Sequence, residues 1–182
     1  MISADFLTAL KSTTLKKVPE NEIKNTFPFE SCFDMITLKQ SHDNRANNDN
    51  EEKHLYLGGL SATRDLEMLH VHNITAVISV TDACIPQYEG IQYYRFAIRD
   101  SVDENLLAIL EETCSVIDEN LKSGSVLVHC NFGVSRSGSV VVAYKGRREQ
   151  LTLDDALAQL KEDRSCVCPN DGFLKQLRDF LQ

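Results

Sequence analysis

The sequence contains no apolar run approaching the ~20 residues that a membrane span needs. Its opening, MISADFLTALKSTT, lacks a basic n-region, a long apolar stretch and a small-residue cleavage site, so no secretory signal is expected. Ile2 stands where an N-myristoyl signal needs glycine. Positive charge is also in short supply: 19 Lys and Arg face 27 Asp and Glu, for a net charge of −8. A general nucleic-acid binder needs a basic footprint for the phosphate backbone, and this composition does not supply one. A phosphate-bearing substrate would have to be held by a local device working against the overall field. The six cysteines (Cys32, Cys84, Cys114, Cys130, Cys166, Cys168) lack the context of a disulfide framework, and free thiols in a reducing cytoplasm are the expectation, with the nucleus also open. Cys166 and Cys168 have no second Cys/His pair at zinc spacing, so neither a metal nor a cofactor is expected.

At 182 residues and 42% hydrophobic, the chain suits one domain with a tail. Residues 41–53, SHDNRANNDNEEK, hold no large apolar side chain and read as a solvated linker. Upstream, ADFLTALK has the spacing of a short amphipathic helix capped by Ser3, while TFPFESCFDMITL is apolar without a period. Residues 1–53 are therefore read as an N-terminal extension and 54–182 as the domain, although Phe27, Phe29 and Phe33 could equally cover its core.

From His54 the pattern is regular. HLYLGG, ITAVISV, IQYYRFAI and SVLVHC read as strands. SATRDLEMLHVHN reads as a helix with Leu66, Leu69 and His70 inward, and ENLLAILEETCSVIDENLKSG as a long helix closed by Gly124 as its C′ glycine. SRSGSVVVAYKGRRE, TLDDALAQLKEDR (Thr152 as N-cap) and GFLKQLRDFLQ complete the helices. Alternating strands and helices imply an α/β fold: a central, largely parallel sheet flanked by helices.

The stretch VLVHCNFGVSRSG falls between a central strand and the following helix, where ligands bind in such folds. Successive N–H groups in a tight loop, together with the free N–H groups of a helix start, form an anion nest. Gly133 permits the turn, and Arg136 adds a planar fork able to grip two oxygens of a phosphoryl group. A cysteine at the base of such a nest, Cys130, is expected to be a thiolate. Most buried cysteines are inert filling; His-Cys-x5-Arg with glycine and serine inside, at a strand-to-helix junction, is far more specific.

This segment resembles the signature H-C-x-x-G-x-x-R-[ST] of cysteine-dependent protein phosphatases. VLVHCNFGVSRSGSVVVAY, the later CPNDGFLKQL and the early LYLGG are similar to the dual-specificity branch, in particular its small atypical members without a rhodanese-like domain. CPNDGF and LKSTTLKK further resemble the subgroup named for regulating stress-activated kinase pathways. The resemblance implies hydrolysis of phosphotyrosine and phosphoserine or phosphothreonine through a phosphocysteine. Cys130 would be the nucleophile. The amides of Asn131, Phe132, Gly133, Val134 and Ser135, with Arg136, would bind the phosphate. Ser137 would stabilise the departing thiolate, and His129 would orient the loop. The family's general acid lies on the loop before the long helix, here FAIRDSVDENL, which implies Asp100, with Asp103 as its local competitor.

Two features depart from the family pattern. Phe132 stands where alanine is usual, so its ring would either crowd the loop or wall the pocket. Lys145 and Gly146 replace apolar residues in the helix after the loop, and glycine inside a helix costs about 1 kcal/mol relative to alanine. Phosphoproteins are the implied partners, with members of mitogen-activated or stress-activated kinase pathways as specific candidates; nucleic acid and membranes are not expected. Two other readings stay open: a phosphoprotein-binding scaffold with little turnover, and a phosphatase of lipid or RNA phosphates. Cys84, after a parallel strand, is either loop filling or a redox partner of Cys130.

Overall fold

The structure, a computed structural model, describes residues 33–38 and 53–182. The expected ADFLTALK helix, Cys32 and all but the last residue of the polar linker lie outside the described residues.

Five strands, β1 (Phe33–Ile36), β2 (Leu55–Gly58), β3 (Ile74–Ser79), β4 (Gln92–Arg95) and β5 (Ser125–His129), form one sheet in the order β1-β2-β5-β3-β4. Among the described residues, only β1 runs antiparallel to its neighbour. β5, in the middle, is buried along its whole length, as a strand covered on both faces must be. Side chains alternate between two cores. Leu55, Leu57, Ile78, Val126 and Val128 face the layer of α2 (Leu107–Asn120), α3 (Arg136–Glu149), α4 (Leu153–Asp163) and α5 (Asp171–Phe180). Tyr56, Val77 and Leu127 face a smaller core with Leu69 from α1 (Leu66–Val71) and Ala62 from the 3₁₀ turn Leu60–Arg64. The fold is the expected α/β sheet flanked by helices.

Several local expectations change. TFPFESCFDMITL, which showed no period, supplies the edge strand β1, with Phe33 and Ile36 buried. Residues Phe33–Ile36, read from composition as part of the extension, pair with Leu55–Gly58 in the sheet. The helix expected over SATRDLEMLHVHN is broken at Asp65, which caps α1 by accepting from the Met68 amide; Leu69 is buried as expected, but Leu66 and His70 are exposed. Gly124 is not a left-handed C′ residue. α2 ends near Leu121, and Gly124 is needed because a Cβ there would sit 2.4 Å from the Thr75 side chain.

The two departures inside α3 have tertiary explanations. Lys145 is fully buried and pairs with Glu149 at 2.9 Å, while its ammonium also donates to the Thr37 carbonyl at 2.6 Å. The charge thus ties α3 to the chain just after β1. Gly146 makes room for the C-terminus: a Cβ would lie 2.6 Å from Leu181. The β-branched run Val140–Val142 is helical because all three side chains are buried in the core, which outweighs a small loss of propensity.

Candidate active site

β5 ends at His129 and α3 begins at Arg136, leaving Cys130–Ser135 as the connecting loop. Gly133 has φ +71°, and a Cβ on it would fall 2.7 Å from the backbone of Gly58; only glycine allows this turn against the end of β2.

Each carbonyl of this loop is held from outside. The Asn131 oxygen accepts from the Leu60 amide at 3.0 Å, and that of Val134 from the Cys168 amide at 3.0 Å. The Ser135 oxygen accepts from the amide and hydroxyl of Ser139 at 2.7 and 2.8 Å. Arg164 donates from Nε to Gly133 O at 3.1 Å and from its terminal nitrogen to Phe132 O at 3.4 Å. The carbonyl of Cys130 accepts from Nδ1 of His129 at 3.1 Å. With these oxygens held, the Gly133 amide donates to the Cys130 sulfur at 3.2 Å.

His129 is buried, and one neutral tautomer satisfies both ring nitrogens. Nδ1–H donates to Cys130 O, and the bare Nε2 accepts from Ser79 Oγ at 2.7 Å. Burial lowers its pKa, against the smaller upward pull of the backbone hydrogen bond, so the neutral ring is favoured.

Two equally buried thiols show what the nest does. Cys114 and Cys130 are each 2% exposed. Burial pushes Cys114 up to about 12. Burial is also the largest single influence on Cys130, yet its pKa falls below the ordinary thiol value. The hydroxyl and amide of Ser137 and the amides of Phe132 and Gly133 together outweigh the desolvation. Ser137 Oγ and Gly133 N each lie 3.2 Å from the sulfur. The thiolate is favoured where an anion would also be bound.

Arg136 is aimed by Thr81 and β4's continuation: one terminal nitrogen donates to Thr81 Oγ1 and Ile98 O, both at 3.3 Å. Thr81 in turn donates to the Asn131 side chain at 2.7 Å. The Nε of Arg136 is buried and has no hydrogen-bond partner; the nearest carboxylate oxygen, of Asp100, is 3.7 Å away. A buried guanidinium donor without a partner costs free energy unless something completes it, and an oxyanion in the nest would do so.

Asp100 lies beside this loop and remains 38% exposed. Its Oδ1 accepts from Ser135 Oγ at 2.7 Å and from the Asn170 side-chain amide at 3.0 Å. Asn170 also caps α5 by accepting from Phe173 N at 2.9 Å. The acid loop is braced further along. Glu104 takes two hydrogen bonds from Arg99, Gln176 donates to Glu104 O and accepts from Leu107 N, and a Cβ on Gly172 would overlap Val102 O at 2.0 Å. The segment PNDGF thus docks the last helix against the loop that carries Asp100. Asp103 is exposed and has no hydrogen bond to the nest residues.

Sequence reasoning did not single out Arg164, Thr81, Ser79 or Asn170. Asn170 had a readable signal, an Asn three residues before an apolar helical position, but its second bond to Asp100 joins residues 70 apart. Phe132 does not crowd the loop: its side chain stands 78% exposed. Cys84 is exposed on the β3–β4 connection. Among the described residues no His/Cys/Asp/Glu group has the arrangement of a metal site.

Fold and loop together define an α/β domain with a buried thiol in the loop between its central strand and the following helix. Residues 55–182 match the family model "Dual specificity phosphatase, catalytic domain", and the chain belongs to that family. It is 40% identical over 127 residues to dual specificity protein phosphatase 22 of Xenopus tropicalis, covering 69% of this chain and 61% of that protein. A mouse putative dual specificity phosphatase, crystallised with zinc tungstate, superposes with a TM-score of 0.68 at 34% identity, over 70% of this chain and 82% of the other. The human tyrosine phosphatase-like serine/threonine/tyrosine-interacting protein superposes with a TM-score of 0.65 at 33% identity, over 69% and 89%.

Proposed function

We propose that this protein hydrolyses phosphotyrosine and phosphoserine or phosphothreonine on other proteins, through a phosphocysteine intermediate. The observation that carries this reading is the geometry of one loop: Ser137 Oγ and Gly133 N each stand 3.2 Å from the buried Cys130 sulfur, and the buried Nε of Arg136 has no hydrogen bond.

The sulfur of Cys130 attacks phosphorus and the P–O bond to the substrate breaks. The leaving oxygen takes its proton from the Asp100 carboxyl, which Ser135 and Asn170 hold at the edge of the nest. Arg136 and the inward amides carry the charge on the three equatorial oxygens. In the second step a water gives its proton to the Asp100 carboxylate and bonds to phosphorus. The S–P bond breaks, and Ser137 Oγ, already 3.2 Å from the sulfur, stabilises the returning thiolate.

Members of kinase cascades are the substrates we favour, on the family resemblance alone. A reduced nucleophile requires a reducing compartment, which supports the cytoplasm. Assay of phosphotyrosine and phosphothreonine peptides with wild-type and Cys130→Ser protein tests the reading. Turnover by the wild type that the variant loses supports it. Tight phosphopeptide binding by both with turnover by neither would replace it with a phosphoprotein-binding module. Turnover confined to an inositol lipid or an RNA 5′-phosphate would overturn the protein substrate.

A further inference from the structure

The ring of Phe132 has no role in the chemistry above, because only its backbone faces the nest. The next amide, of Gly133, donates to the Cys130 sulfur at 3.2 Å, and the Phe132 carbonyl is turned away to Arg164. The Cα of Phe132 is therefore within about 6 Å of the sulfur, given a C–N bond of ~1.33 Å and a Cα–C bond of ~1.52 Å. A benzyl side chain starting so close to the floor, and 78% exposed, stands at the lip. Its neighbours are fixed: Asn131 is held by Thr81, and Gly133 is packed on Gly58. An aromatic ring on a rigid loop loses little conformational freedom when it acquires a partner.

We propose that Phe132 is a specificity-determining residue that selects phosphotyrosine over phosphothreonine and phosphoserine. This inference rests on the proposed phosphatase reading and narrows its substrate class. Two effects act in the same direction. The tyrosine ring, whose phosphate must reach the sulfur, passes the lip and meets the Phe132 ring in an offset or edge-to-face contact. Height is the second effect. A phosphothreonine side chain is shorter by the length of an aromatic ring, so its peptide backbone must come correspondingly closer to the loop, where the exposed ring stands in the way. An alanine at this position, as in the family pattern, would do neither.

The test is the ratio of kcat/KM for a phosphotyrosine peptide to that for the phosphothreonine peptide of the same sequence. It is measured for the wild type and for Phe132→Ala, Phe132→Leu and Phe132→Tyr. The ratio should fall about tenfold in Phe132→Ala, from lost phosphotyrosine turnover together with gained phosphothreonine turnover. Phe132→Tyr should keep the wild-type ratio, and Phe132→Leu should fall between. Thermal melting confirms that each variant folds. A ratio unchanged within twofold in Phe132→Ala, or one that rises, would overturn the proposal while leaving the phosphatase reading intact. Should the wild type turn over neither peptide, the phosphatase reading fails, and the same ratio is read as peptide dissociation constants in a Cys130→Ser background. There, loss of the phosphotyrosine preference in the Phe132→Ala double variant supports the role of the ring, and its persistence overturns it.

Discussion

Arg164 and Asp34, 130 positions apart, form an ion pair, and the same guanidinium donates to the carbonyls of Gly133 and Phe132. The edge strand β1 is thereby connected to the back of the Cys130–Ser135 loop through one buried side chain. Thr37, just after β1, adds a second link by accepting from Lys145 and bonding to Asp163 through its amide and hydroxyl.

Arg164→Ala should reduce both stability and turnover. It leaves two loop carbonyls without their donor, and each unsatisfied buried group costs about 1–3 kcal/mol. Any relaxation of the loop moves the inward amides, and misplacement by about 1 Å can cost 10²-fold in rate. Asp34→Asn should show the same effects in weaker form. Denaturant midpoints and kcat/KM check this; wild-type values in Arg164→Ala would show the brace to be dispensable.

A chain starting at residue 54 should be destabilised relative to one starting at residue 31, although both contain every residue proposed for the chemistry. Loss of β1 exposes the edge of β2 and removes the Asp34 and Thr37 contacts. Equal melting temperatures for the two chains would show that β1 contributes nothing to the domain.

Asp100→Asn should slow hydrolysis of a phosphothreonine peptide by about 10²- to 10⁴-fold, because an alkoxide leaves poorly without a proton. The loss should be smaller for an aryl phosphate with an acidic phenol. Asp103→Asn should change either rate little. Asn170→Ala, which removes one of the two donors to Asp100 Oδ1, should act in the same direction as Asp100→Asn but less strongly. The reverse order for Asp100 and Asp103 would move the general acid to Asp103.

Ser137→Ala should raise the pKa of Cys130, since the Ser137 hydroxyl donates to the sulfur and favours the thiolate. Alkylation of Cys130 by iodoacetamide, followed against pH, should then rise at higher pH than in the wild type. Stability carries the matching sign. A thiol with a depressed folded pKa stabilises the fold most at pH above its unfolded value, and that contribution is lost as pH falls through the folded value. His129 adds its own loss on acidification, because the unfolded chain takes up a proton near the ordinary histidine pKa that the buried ring resists. An alkylation profile unmoved by Ser137→Ala would remove the hydroxyl from this role.

Lys145→Ala should destabilise the domain by about 3–5 kcal/mol, because it removes the buried ammonium that pairs with Glu149 and donates to the Thr37 carbonyl. The double variant Lys145→Met, Glu149→Leu should recover most of that loss, since an apolar pair of similar volume often replaces a buried ion pair at little cost. Chemical denaturation of the three proteins decides this, and a double variant as unstable as Lys145→Ala would contradict it.

Local order along the chain was legible from the sequence. Four of the five strands, the helices from Arg136 onward, the Thr152 cap and the loop carrying Cys130, Gly133 and Arg136 depend on periodicity, capping and short-range spacing, which a linear reading captures. Asp100 was named from family resemblance, not from spacing. β1 could not be read, because four residues of an edge strand carry too little pattern to stand out from a loop. Gly124, Gly146 and Gly172 looked like a helix end, a defect and part of a motif; their reasons are Thr75, Leu181 and Val102, which only the packed fold brings within a Cβ's reach. Arg164, Thr81 and Asn170 hold the nest and the acid loop from positions far away in sequence. The sequence by itself determined that a cysteine, a glycine and an arginine share the loop between a central strand and the next helix. Tertiary structure decided how loop carbonyls are turned outward and which aspartate faces the loop, because hydrogen bonds between distant segments leave no period in the chain.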